Sequence, residues 1–370
     1  MNKFPERLET IDALRAFAAV SVCLFHFTNG RSSLAPAFGF GVRGIEIFFV
    51  ISGFVIPFAL ARAGYTLRAW PQFIAKRIVR IDPPYLASVA IVLALGLATM
   101  VIRGKNPTWT VDQIVSHVAF MSAALGYDWL NIVYWTLAIE LQFYLLVSVL
   151  FPALVGPGVF SGSLILATCL VLAAIGSPSR VWITPYLPVF AAGLAAFWLR
   201  TGRLGPFGYG ALIFATAMGL TWLHTVSVAL ASALTSIAIA CLTIPKYRIF
   251  SFFGAISYPL YLLHVPVGGR IIDLASHLPQ TKAVQIGAII IALLVSVVAA
   301  WVLHEWIERP SMEIAARIRY SSQTVFGLRR TGHVPNGNQT LAWPSAAHAH
   351  HSLPREDLEL VARAPAQSSR

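Results

Sequence analysis

Apolar side chains dominate ten stretches of this chain, and polar residues gather between them. The stretches run over about 9–28, 41–62, 83–102, 131–152, 160–176, 183–199, 207–224, 226–244, 252–272 and 284–306. Roughly 20 mainly apolar residues make a helix that crosses a bilayer. The pattern therefore predicts an all-α, polytopic membrane protein with about ten transmembrane helices. The segment 113–125, QIVSHVAFMSAAL, is too short and too polar for another span and reads as re-entrant or surface-lying. Past residue 308 the pattern stops. Residues 309–370 are rich in Pro, Gly, Ser, His and charge without a sustained period. They read as a disordered basic tail, which leaves 1–308 as the membrane domain.

Composition removes the soluble alternatives. Hydrophobic residues make up 57% of the 370, charged residues only 11%, and the mean hydropathy is +0.71. No soluble core hides that much apolar surface. The formal charge of +12 would suggest nucleic acid in a soluble chain. Here it reads as lysines and arginines holding loops in the cytoplasm. With the N-terminus inside, the inner loops hold eleven basic residues and the outer loops six. Eight further arginines follow the last span. This bias predicts N-in, C-in. The first span is not read as a cleaved signal peptide: Arg15 interrupts its start, and LAPA at 34–37 lies too far beyond it. Cys23, Cys169 and Cys241 lie in apolar runs without metal-ligand spacing and read as small hydrophobes.

Charged residues within spans are costly and mark cavities or partners. Arg15 and His26 are eleven residues apart on the first span, which places them on one helix face, roughly 16 Å apart along the axis. Asp12 is one turn from Arg15 and can pair with it. Arg43 and Glu46 stand in the same relation at the outer end of the second span. His26, Glu46, Glu140 and His264 are predicted at similar depth on four spans. Arg15, Arg77 and Arg80 are predicted on the inner side, where two guanidinium groups one turn apart suit a phosphate. Pro83 and Pro84 are expected to stop that helix before the third span. Histidine suits proton transfer near neutral pH, and a carboxylate can orient its ring. HEWIERP at 304–310 has His-Glu-x-x-Glu, not His-Glu-x-x-His, and predicts no metal.

Five stretches carry a resemblance: IDALRAFAAVSVCLFHF, GVRGIEIFFVISGFVI, AKRIVRIDPPYL, YWTLAIELQFYLL, and ISYPLYLLHVPV followed by HEWIERP. In this order over about residues 9–310, the chain resembles membrane-bound acyltransferase family 3, bacterial enzymes that O-acylate surface polysaccharides, lipopolysaccharide, Nod factors and related acceptors. The resemblance implies ten membrane helices in the bacterial inner membrane, acyl-CoA, by default acetyl-CoA, as donor from the cytoplasm, and a glycan or glycolipid acceptor. It implies His26, of the Arg-x10-His pattern, as catalytic residue, Arg77 and Arg80 as CoA contacts, and Glu140 as the glutamate of the fourth-span block.

The resulting expectation is a hydroxyl acyltransferase. Arg77, Arg80 and Arg15 hold the donor on the inner side. His26 acts as base or acyl carrier, oriented by Glu140 or Glu46. Asp12, Ser52 and His264 support, and Ser52, Tyr144 and Tyr261 are candidate hydroxyl relays. The rival class is a transporter or flippase using the same polar residues as a path. A non-catalytic scaffold leaves the aligned polar groups unexplained.

Overall fold

The computed structural model describes residues 9–30, 32–104, 109–155, 168, 169, 171–173, 175 and 181–320. Among them every regular element is helical. The helices that build the body are α1 (Glu9–Thr28), α2 (Gly44–Arg62), α3 (Trp70–Arg103), α4 (Val111–Val118), α5 (Trp135–Val155) and α6 (Leu187–Arg200). They are followed by α7 (Pro206–Leu223), α8 (Val226–Cys241), α9 (Arg248–Leu263), α10 (Gly269–Ala275), α11 (Lys282–Leu303) and α12 (Arg309–Arg317).

Seven segments among the described residues are long and apolar enough to cross a membrane. The expected span at 226–244 forms the shorter apolar helix α8, and that at 183–199 the 14-residue α6. The expected span at 160–176 lies mainly outside the described residues. α4 is not among the seven and forms with its following turns a small folded segment against the start of α5. The outer surface is apolar: Val101, Phe207, Trp222 and Leu294 are all exposed. Such a surface aggregates in water and is at home in hydrocarbon. The chain is an all-helical, multi-pass membrane protein.

Packing follows from small residues and from backbone groups freed by proline. α2 lies along α6. Gly53 faces the Phe190 carbonyl oxygen and Gly193 faces that of Val50, so closely that a Cβ at either position would meet backbone. Membrane helices use small residues for this approach, because lipid offers apolar chains no hydrophobic drive toward each other. α1 packs along α9, and α9 along α11.

Pro83 and Pro84 do not stop α3, which runs through them as one helix of 34 residues. A proline break is tolerated in a bundle when neighbours satisfy the backbone around it. Pro83 and Pro84 leave the Val79 and Arg80 carbonyls without their usual N–H partners, and next to them the Tyr258 hydroxyl donates to the Ile81 carbonyl at 3.0 Å. α9 continues into α10 through a π-helical turn, His264–Gly268, which holds Pro266. Pro266 has no N–H for the Leu262 carbonyl four residues back, and Asn131 Nδ2 donates to that carbonyl at 3.0 Å. α11 continues into α12 through a second π-helical turn, His304–Glu308. The membrane body therefore extends beyond residue 308: α12 packs on α3, and the Tyr320 ring lies 6.0 Å from that of Tyr65. The tail assignment for 309–320 is corrected accordingly, because the apolar face of α12 is carried by too few residues to register as a period. The remainder of the expected tail, 321–370, is outside the described residues.

Candidate functional site

α1, α2, α3, α5, α9 and the turn after α11 enclose a cavity of about 980 Å³ including the space at its mouth. Arg15 of α1 and Arg77 and Arg80 of α3 all line it. Arg15 Nε donates to Ser257 Oγ on α9 at 3.1 Å. Asp12 is buried one turn away and lies within electrostatic reach of Arg15. The Arg77 guanidinium stacks between Phe73 and Tyr144, 5.2 and 5.3 Å from the ring centres. Its Nε is buried without a hydrogen-bond partner.

Glu140 stands across the cavity. Its Oε1 accepts from the Ser52 and Tyr144 hydroxyls, each at 2.5 Å. Glu308 lines the same cavity and takes a 2.6 Å hydrogen bond from His304 Nδ1, with both residues buried. In the sequence these two stand within HEWIERP, which the resemblance includes without assigning either residue a role. A carboxylate four residues from a histidine on an intramembrane helix was the signal that pointed to a buried pair. Three guanidinium groups thus face two carboxylates in a largely buried cavity that opens at one mouth. Like charges in such surroundings repel strongly, and the excess positive charge favours an anion.

The expected line of four polar groups at one depth separates into three places. Glu46 is not in the cavity wall: its Oε1 is held by Arg43 at 2.8 Å, forming the pair expected from their spacing. Glu140 is occupied by hydroxyls. Neither carboxylate orients His26, contrary to the sequence-based expectation. The faces of α2 and α5 decide this, and a depth estimate carries no rotation. The group beside His26 is another histidine, with ring centres of His26 and His264 5.1 Å apart.

The two histidines stand beyond the cavity rather than in its wall. Tyr261 joins the two regions. It lines the cavity, its hydroxyl meets Thr136 Oγ1 at 2.8 Å, and its ring centre is 5.8 Å from that of His264. Along α9 the order is Ser257 beside Arg15, then Tyr258 and Tyr261, then His264 beside His26. Among the described residues no three His, Cys, Asp or Glu side chains gather as metal ligands.

The sequence comparisons agree with this architecture. The acyltransferase domain of family 3 matches residues 8–305. The exopolysaccharide production protein ExoZ of Rhizobium meliloti is 32% identical over 193 residues, which covers 49% of this chain and 58% of that protein. The O-acetyltransferase OatA of Staphylococcus aureus is 30% identical over 152 residues, 38% of this chain and 24% of that protein. Nodulation protein 10 of Rhizobium leguminosarum bv. viciae is 27% identical over 250 residues, 57% of this chain and 65% of that protein. The chain thus spans less than two thirds of the length of each of these relatives. No solved structure matches. With a match from the first helix to the second π-helical turn, the chain belongs to the acyltransferase 3 family.

Proposed function

We propose that this protein is a membrane O-acyltransferase that moves an acyl group, by default acetyl, from cytoplasmic acyl-CoA to a hydroxyl of a glycan or glycolipid. The observation that carries the reading is the convergence of Arg15, Arg77 and Arg80 on one cavity, whose lining Tyr261 meets His264, the neighbour of His26. The unpartnered Arg77 Nε is a buried donor that a phosphate oxygen would satisfy, so these residues fit the anionic end of CoA. The thin pantetheine arm suits the roughly 16 Å of α1 between Arg15 and His26.

The orientation proposed is N-terminus and α12 inside, in a bacterial inner membrane with ten spans. The basic-residue bias supports it. α5 and α6 also run the same way: Gln142 bonds to residues 181 and 183, while Arg203 bonds to the Val155 carbonyl at the other end. Arg15, Arg77 and Arg80 are then on the donor side and His26 is toward the outer leaflet. Relatives named for exopolysaccharide production and O-acetylation support a polysaccharide acceptor.

In the proposed reaction His26 removes the acceptor proton as the hydroxyl oxygen attacks the thioester carbonyl. A C–O bond forms, the C–S bond breaks, and the proton held by His26 passes to the departing thiolate. Glu140 acts on the Ser52 and Tyr144 hydroxyls and offsets the arginine charge, rather than orienting His26.

The test uses purified protein in nanodiscs with labelled acetyl-CoA and octyl β-glucoside as a membrane-soluble sugar hydroxyl. Wild type forms acetylated glucoside, and His26→Ala, folded by size exclusion, forms none. Equal product from His26→Ala removes that residue from the mechanism. Failure to form ester, with glycolipid crossing the membrane without acetyl-CoA, favours the transporter reading.

A further inference from the structure

We propose that His264 is the positioning residue for His26: its Nε2 accepts an N–H from the His26 ring and so presents the opposite nitrogen of His26 to the substrate. The role assigned to His26 rests on the acyltransferase reading; the contact between the two rings does not.

Four observations converge on it. His264 is fully buried, whereas His26 is partly exposed, so of the two only His26 is accessible to a substrate. His264 Nδ1–H donates to the Leu260 carbonyl at 3.1 Å. In a neutral ring this leaves Nε2 as a lone-pair acceptor. That Nε2 is buried and has no hydrogen-bond partner. A buried acceptor left unpaired forfeits its hydration without replacement, so a partner is expected to complete it. The His26 ring centre lies 5.1 Å away. Two imidazoles joined by an in-line N–H···N bond of about 3 Å have centres about 5 Å apart. The rings are tilted by 52°, and a rotation of the more exposed His26 ring closes the bond.

The fold aims His264 for this purpose. It opens the π-helical turn at the end of α9, and such turns recur at functional sites because they redirect side chains. The turn is held by Asn131 on the Leu262 carbonyl. Around the ring stand His26 and Phe27 of α1 and Tyr261 of α9 itself. On the α11 side Ser296, which does not titrate, meets Gly268 of the turn. With Glu140 and Glu46 engaged elsewhere, His264 takes the place that a carboxylate holds in a triad, without bringing a charge into the membrane.

Two substitutions separate this from packing. In His264→Gln the amide oxygen stands near the former Nε2, whereas His264→Asn reaches only the former Nδ1. The first readout needs no substrate: diethylpyrocarbonate modification of His26, followed by mass spectrometry of the purified full-length protein. Gln is expected to keep the rate within about threefold of wild type. Asn is expected to lower it by roughly tenfold, since loss of the orienting acceptor leaves the ring in the wrong tautomer. The second readout is turnover of acetyl-CoA with octyl β-glucoside. There Asn lowers kcat by about tenfold or more with donor KM unchanged, and Gln restores most of it. Equal His26 reactivity in wild type, Gln and Asn overturns the proposal. Altered reactivity together with absent wild-type turnover leaves the ring contact standing and counts against the acyltransferase reading instead.

Discussion

Arg77 shows what a single side chain contributes here. Its guanidinium is stacked between two aromatic rings, yet its Nε faces no acceptor. Stacking fixes the plane of the fork and leaves a donor for an incoming anion. Replacing Arg77 and Arg80 together by Gln should therefore raise the donor KM by about tenfold or more, since each charge-assisted bond is worth roughly 1.5–3 kcal/mol. Acyl-CoA titration in nanodiscs measures it; an unchanged KM, with reporter fusions showing altered topology, would make these arginines anchors only. That Arg77 and Arg80 share a face was legible because turn spacing along one helix determines face; Arg15, on α1, was joined to them only by its expected side of the membrane. The partners of Glu140 and His26 were not legible, because a hydrogen bond across helices depends on how each is rotated about its axis.

At the scale of the element, α2 and α6 approach backbone to backbone at Gly53 and Gly193. Gly193→Leu should place side-chain atoms against the Val50 carbonyl and lower stability by about 1–3 kcal/mol or more. Thermal unfolding in detergent, followed by size exclusion, measures the loss, and an unshifted midpoint would mean the helices separate without cost. α4 offers a pH test outside the spans. His117 donates from Nδ1 to the Gln113 carbonyl at 2.7 Å and accepts at Nε2 from the Leu130 amide at 3.0 Å. Burial holds its imidazole below the ordinary value. The unfolded segment therefore takes up a proton first, so the segment is at full stability above the ordinary value of about 6.5 and loses stability as pH falls below it. Hydrogen exchange over residues 113–130, corrected for intrinsic rate, should rise between pH 7.5 and 5.5 in wild type and stay level in His117→Gln. Hydropathy alone could not describe this segment, because a buried ring on α4 ties that helix to the loop before α5. Nor did proline chemistry locate the end of α3, which runs on through Pro83 and Pro84 to Arg103.

For the whole molecule, the folded body reaches Tyr320, where the ring packs on Tyr65 and the Lys76 ammonium lies 5.7 Å from its centre. Truncation after residue 320 should leave turnover close to that of the full chain, because every group lining the cavity is kept. Truncation after residue 308 removes α12 from α3 and should reduce the folded fraction severalfold. Both are read as ester formed per unit of membrane-inserted protein, and an inserted but inactive 320-residue form would assign the tail a part in the reaction. The chain's own pattern was enough to determine that it is helical, that it lives in a bilayer, which family it joins, and that arginines and histidines share faces of particular spans. Those properties follow from local sequence: the bilayer forces helices on any long apolar run, and 3.6-residue periodicity places a side chain on its face. Tertiary structure alone decided that Glu140 serves hydroxyls, that Glu46 turns away to Arg43, that Glu308 enters the cavity, and that His26 meets a histidine. Helix rotation, proline breaks and π-helical turns set those contacts, and each depends on what neighbouring helices supply to the backbone.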